Sequence, residues 1–137
     1  MLAPTTSERA WTWIGPAVMC AVDVGVTLAC QPDSYWREGY AFGYESNPIA
    51  RWFLEIGPLA LMAGGLAWIL CFSAVILHLR AGAARVVALG LLFGHALGAS
   101  TWLIRLPLGW AWCLAVWLLA RWLFGRFWDE PTRRAVA

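Results

Sequence analysis

A carboxylate stands in the middle of the first long apolar stretch of this chain. Asp23 is flanked by Ala-Val on one side and Val-Gly-Val on the other. A charge near the centre of a bilayer costs about 2.5–3.5 kcal/mol on insertion scales, so an acid kept there needs a reason. Cys20, Asp23 and Thr27 fall on one helical face. The chemistry open to such a face is a proton, cation or metal site; the plainer alternative is a protonated or hydrogen-bonded Asp that fixes helix packing. His95 lies about ten residues from the inner end of the third apolar stretch, at a depth similar to that of Asp23 in the first. The two can pair across a helix contact, and a carboxylate bound to an imidazole is a common arrangement around metal ligands. Asp23 and His95 are thus the residues to expect in any metal site. Gly94, Gly98 and Ala99 leave room beside His95. A flat macrocycle such as haem or a chlorophyll-type pigment could use that room, with His95 as axial ligand. The alternative is a histidine that only hydrogen-bonds Asp23 or a backbone carbonyl. The default expectation is no cofactor, with haem, pigment or a metal ion behind it. His78 sits at the inner end of the second stretch, beside Arg80. That is the wrong depth for a second haem ligand and the right one for a snorkelling interfacial side chain.

These residues must be positioned by helices in lipid. Hydrophobic residues make up 61% of the 137 and charged ones 13%, about half the ~25% usual for soluble domains. So short a soluble chain could not cover its surface with so few polar groups, whereas lipid accepts an apolar exterior. Eleven tryptophans suit the membrane–water interface. A net charge of +2 argues against nucleic acid as a partner. Spans of about 20 apolar residues are expected over residues 10–30, 58–79, 86–104 and 108–124, a single all-α transmembrane domain folded as a four-helix bundle. The first stretch is too long for a signal peptide, whose apolar region is about 7–15 residues, and Asp23 interrupts it. With both termini on one side, that side holds Arg9, Arg80, Arg85, Arg121, Arg126, Arg133 and Arg134, against Arg37, Arg51 and Arg105 on the other. Both termini are therefore expected in the cytoplasm, with a tail over residues 125–137. Cys20, Cys30, Cys71 and Cys113 show no zinc spacing and predict no disulfide framework.

The connections differ. Arg80 to Arg85 predicts a short loop between spans two and three, and Pro107 a tight turn before span four. Residues 31–57 hold all three tyrosines and should fold against the outer membrane face. Within them Asn47-Pro48 reads as a helix start, with Asn as N-cap and Pro at the first helical position. Arg51 and Glu55 then fall four apart and can pair. A helix unbroken from Pro48 to Leu79 would be about 48 Å long, well over the ~30 Å hydrocarbon core. Gly57-Pro58 is the natural break between a short interfacial helix and span two. Inside the bundle, close approach needs small residues. Gly90, Gly94 and Gly98 in span three, and Ala17, Ala21, Gly25 and Ala29 in span one, recur at four-residue spacing and are expected to face other helices. Trp110, Trp112, Trp117 and Trp122 surround span four, which should lie outermost, facing lipid or a partner subunit. Glu45 could cap the Asn47 helix, pair with Arg51 or Arg105, or reach over the bundle mouth toward Asp23.

Asp23-x-x-x-Thr27 in a first span, followed by an outer loop and Glu45-x-Asn47-Pro48 entering the next helix, resembles an uncharacterised family of small prokaryotic polytopic membrane proteins of unknown function. The resemblance covers about the first half of the chain. It implies a small multi-pass protein, with Asp23, Thr27, Glu45 and Asn47 in one unit at the outer half of the bundle, and it supplies no activity. The zinc-protease HExxH, the GxSxG elbow, the P-loop and the dinucleotide fingerprint are all absent. The first functional expectation is therefore a non-catalytic accessory subunit of a larger membrane complex in the bacterial cytoplasmic membrane, its partners being lipid and other membrane subunits. An intramembrane ion, proton or metal site on Asp23 and His95, possible basis of a membrane enzyme, ranks second. Haem or pigment binding through His95 ranks third.

Overall fold

The computed structural model describes residues 6–128, and every regular element within them is helical. The helices are α1 (Thr6–Ala29), α2 (Asp33–Arg37), α3 (Pro48–Ile56), α4 (Pro58–His78), α5 (Ala81–Leu103) and α6 (Gly109–Trp128), with a single 3-10 turn at Tyr40–Phe42. Stretches of α1 (Thr12–Ala29), α4 and α5 are long and apolar enough to cross a membrane. α6 has 20 residues but is not among them, because its tryptophans and two arginines make it more polar. Most of the tail expected over residues 125–137 lies outside the described residues; of the rest, residues 125–128 continue α6.

α5 is the organising helix. Ala84, Ala88, Leu92, Ala96, Ala99 and Leu103 form one buried face along its length. The C-terminal part of that face meets Met19 of α1 and Val116, Ala120 and Leu123 of α6. Its N-terminal end meets Ile76 of α4. α1 packs more extensively on α5 than on any other helix, and it also touches α4 and α6. The small residues that bring the backbones together are thus alanines. The glycine ridge is not the contact: a Cβ added at Gly90 or Gly94 would meet nothing within 4 Å, and the same is true of Gly25. Ala21 is exposed and Ala17 only half-buried. The reason is helical drift. Four-residue spacing turns about 40° per step, so a ridge starting at Gly90 on the outer surface has rotated inward only by Gly98. On α1 the polar face of Cys20 and Thr27 is the one that packs, and the Ala21–Gly25 face opposite it is open.

The connections are tighter than the residue types imply. The turn between α4 and α5 consists of Leu79 and Arg80 alone. Ala81, Ala83 and Ala84 are strong helix formers, and they continue the helix through Gly82 where a loop up to Arg85 was expected. After α5 the chain reverses through Leu108, whose φ of 56° lies in the left-handed region. Gly109 follows because a Cβ there would sit 2.5 Å from the Leu103 carbonyl oxygen.

Residues 31–57 form a folded cap. Gly57 breaks the chain between α3 and α4 with φ at 143°, a conformation that only glycine adopts without strain. Asn47 Oδ1 accepts from the amides of Ile49 and Ala50, capping α3, and Arg51 pairs with Glu55 at 2.8 Å. α2 was not anticipated. It buries Tyr35 completely against Leu54 and Leu61, and the Tyr35 hydroxyl donates to the Leu54 carbonyl at 3.2 Å. Burial, with the neighbouring Tyr40 adding to it, pushes the Tyr35 phenol above its ordinary pKa.

The packing makes a direct contrast between glycine and alanine. Gly90→Ala and Gly94→Ala should leave the melting midpoint in detergent within about 0.5 kcal/mol of the parent. Ala96→Leu or Ala99→Leu should destabilise by about 1–3 kcal/mol through overpacking. Equal sensitivity at the two sets would refute the alanine interface.

Candidate functional site: an intramembrane carboxylate–imidazole pair

α1 and α5 hold Asp23 and His95 at nearly the same depth. Asp23 lies six residues, about 9 Å, from the C-terminal end of α1, and His95 eight residues, about 12 Å, from that of α5. The structure joins them: His95 Nδ1 lies 2.9 Å from Asp23 Oδ2. About a fifth of each side chain remains exposed, 19% for His95 and 22% for Asp23. An ionised carboxylate can only accept, so the imidazole proton facing it belongs on Nδ1. With imidazolium and carboxylate together the pair is net neutral, the arrangement that costs least in a medium of low dielectric.

Gly98 makes the approach possible. It sits one turn beyond His95, and a Cβ there would come within 2.8 Å of both Asp23 carboxylate oxygens. The carboxylate therefore rests against bare α5 backbone. This glycine has the packing role expected of its ridge, though its neighbour is an ionisable side chain rather than another small residue. It also occupies the room assigned above to a macrocycle: the carboxylate fills the Gly98 face, and Ala99 is fully buried. Gly94 alone of that trio is exposed.

The other candidates are distributed elsewhere. Thr27 is buried on the Asp23 face, but its backbone carbonyl accepts from Gln31 Nε2 at 2.9 Å, tying it to the cap. Glu45 Oε1 accepts from the Asn47 amide at 2.8 Å. Glu45 and Asn47 therefore build the start of α3. His78 is exposed at the C-terminal end of α4, its Nδ1 2.8 Å from the Ala74 carbonyl. Among the described residues no group of three or more His, Cys, Asp or Glu side chains is arranged to hold a metal ion.

One residue was not singled out from the sequence. Gln31 is buried just past α1, where its Oε1 accepts from the Tyr44 amide at 2.8 Å and its Nε2 donates to the Tyr44 carbonyl at 3.1 Å. Arg105 then lies over the rings of Tyr44 and Trp102, 5.2 Å from each. The cap is thereby fastened over the C-terminal ends of α1 and α5, beyond the pair. Cys20 stands on the Asp23 face, as its spacing implied. It is buried one turn inward of Asp23, and with His95 it lines a half-open cleft between α1, α4 and α5. Its place on the Asp23 face was legible, but the neighbours that make a cleft of it come from α4.

No known protein family, curated protein or solved structure matches the chain. The Asp23–Thr27 and Glu45–Asn47–Pro48 pattern therefore stands on the roles of its own residues. The fold and site define a class: an all-helical protein with three helices able to cross a membrane and an acid–base pair between two of them.

The strength of the pair is measurable as a double-mutant cycle in detergent-solubilised protein. Asp23→Ala and His95→Ala should each destabilise, and the double variant should be less affected than the sum, with a coupling of about 0.5–3 kcal/mol. Simple additivity would show that the two side chains do not depend on one another.

Proposed function

We propose that this is a four-span protein of the bacterial cytoplasmic membrane, with both termini in the cytoplasm, in which Asp23 and His95 form a proton-handling site. The observation that carries the reading is the 2.9 Å carboxylate–imidazole contact between two membrane-spanning helices. Intramembrane ionisable pairs mark proton and ion pathways. Imidazole is the one side chain whose unperturbed charge change falls near physiological pH. The residual exposure of both partners leaves the pair reachable, and the cleft beside His95 offers a route to it. α6 is about 30 Å long and packs beside α1 and α5. This supports a fourth crossing, with Arg121 and Arg126 reaching the inner headgroups. An acid pulse applied to proteoliposomes carrying a trapped pH dye tests the reading. The parent should pass protons faster than protein-free vesicles, and Asp23→Asn and His95→Phe should return the rate to that of empty vesicles. Variants that conduct as the parent does would defeat it.

A second reading, an accessory subunit of a larger membrane complex, is favoured by α6. Trp110, Trp112 and Trp122 are each at least half exposed around its circumference, aromatic surface for lipid or another subunit. Gentle extraction from native membranes should then recover other membrane proteins with this one, and Trp112→Ala with Trp122→Ala should loosen that association. Recovery of the parent alone would remove this reading while leaving the proton site untouched.

A further inference from the structure

α3 has three faces, and the rest of the chain accounts for two of them. At about 100° per residue, Ala50, Phe53 and Leu54 fall together, as do Arg51 and Glu55, and Ile49, Trp52 and Ile56 fill the arc between those two sets. The first face is packed: Leu54 is buried with Tyr35 and Leu61, and Ala50 and Phe53 pack against the same cluster. The second is an ion pair closed within the helix at 2.8 Å, a polar stripe that satisfies itself across one turn. The third is bare. Ile49, Trp52 and Ile56 are each more than half exposed, although they are among the most apolar side chains of the cap.

This bare face is level with helices long enough to cross a membrane. A Cβ added at Gly64 would come 3.0 Å from the Phe53 ring, and Gly64 lies six residues, about 9 Å, into α4. α3 therefore folds back beside the opening turns of α4 rather than pointing away from it. On the other helix the same cluster takes in Val24 and Leu28, both within the apolar stretch Thr12–Ala29. A helix packed on those turns stands where lipid surrounds them. Leu59 and Met62, also more than half exposed, carry the apolar surface past Gly57 into α4. A helix apolar over more than half its circumference, with its charges on the remaining side, is the form that lies in the plane of a membrane interface, and Trp favours that layer.

We infer that α3 is an in-plane membrane helix, with Ile49, Trp52 and Ile56 among the lipid chains at the acyl–headgroup boundary and the Arg51–Glu55 pair turned toward the headgroups. Lipid is the occupant because the bare face runs on into the exposed surface of a helix able to span, and because it carries no charge to orient a protein partner. The cap is then held by the bilayer on one side and by Val24, the neighbour of Asp23 in the chain, on the other. The inference goes beyond the proton-handling reading and does not depend on it.

The test uses the full chain in phosphatidylcholine nanodiscs, with isoleucine methyl groups labelled for NMR and the Ile49 and Ile56 signals assigned through Ile49→Val and Ile56→Val. Three paramagnetic probes are compared: a phosphatidylcholine with a nitroxide near the carboxyl end of its acyl chain, one with the nitroxide at the chain terminus, and a water-soluble gadolinium chelate. The apolar face of an in-plane helix sinks about 5–10 Å into the boundary. The first probe should therefore cause the largest loss of Ile49 and Ile56 signal, well above its effect on Ile76, which is buried in the core. A larger loss from the gadolinium chelate would put the face in water and overturn the inference. A larger loss from the chain-terminal nitroxide would place α3 deeper than the boundary and do the same. Signals as insensitive to all three probes as Ile76 would mean that protein, a second copy of this chain, covers the face, and would also overturn it.

Discussion

A carboxylate among hydrocarbon must have a partner, and the arrangement of this protein follows from where Asp23 finds one. Its partner sits on α5 rather than on a neighbouring turn of α1, so α1 and α5 must run side by side with Asp23 and His95 at one depth. Rotating α1 by a single residue would turn Asp23 about 100° away and strand both groups. The Gly98 face, the alanine stripe of α5 and the burial of Cys20 and Thr27 all lie on this contact. Lipid gives no hydrophobic reason for two helices to associate. Polar pairing and close packing therefore act together, the first specifying which faces meet and the second holding them.

The cap and the cleft flank this pair from two sides. At one end of the bundle, Gln31, Tyr44 and Arg105 fasten the loop over the C-terminal ends of α1 and α5, and Tyr35 and Leu54 give that loop a core of its own. On the other side α4 packs against α1 and α5, and Trp68, Phe72 and His95 line a small cleft between the three. The pair is therefore not enclosed all round, and about a fifth of each of its side chains stays exposed.

Much of this was open to reading from residue types. The helices, the break at Gly57, the Asn47 cap, the Arg51–Glu55 pair and the pairing of Asp23 with His95 each rest on local rules: helix length in lipid, capping chemistry, four-residue spacing and equal depth. Where reading from spacing failed, geometry of higher order had intervened. Gly90 and Gly94 look like a contact ridge in one dimension, but a helix with about 3.6 residues per turn carries them around to the open face, and alanines at a three- and four-residue stagger take the contact instead. The loop expected up to Arg85 is helix from Ala81 onward, because alanine propensity outweighs one glycine. Glu45 had four possible partners, and the shortest reach, to the Asn47 amide, prevailed.

By itself the sequence determined that this chain is helical with stretches apolar and long enough to cross a membrane, since 61% hydrophobic residues and runs of about 20 of them form helices that satisfy their own backbone hydrogen bonds in lipid. It also singled out Asp23 and His95, because ionisable side chains in such runs are costly enough to stand out. Tertiary structure alone decided that Gly98 is the surface on which the carboxylate rests, that Gln31 locks the cap, and that Cys20, Trp68 and Phe72 share a cleft with His95. These residues come from helices distant in sequence, and which faces meet depends on helix rotation and tilt, quantities that packing of all the helices settles together and that no single segment encodes.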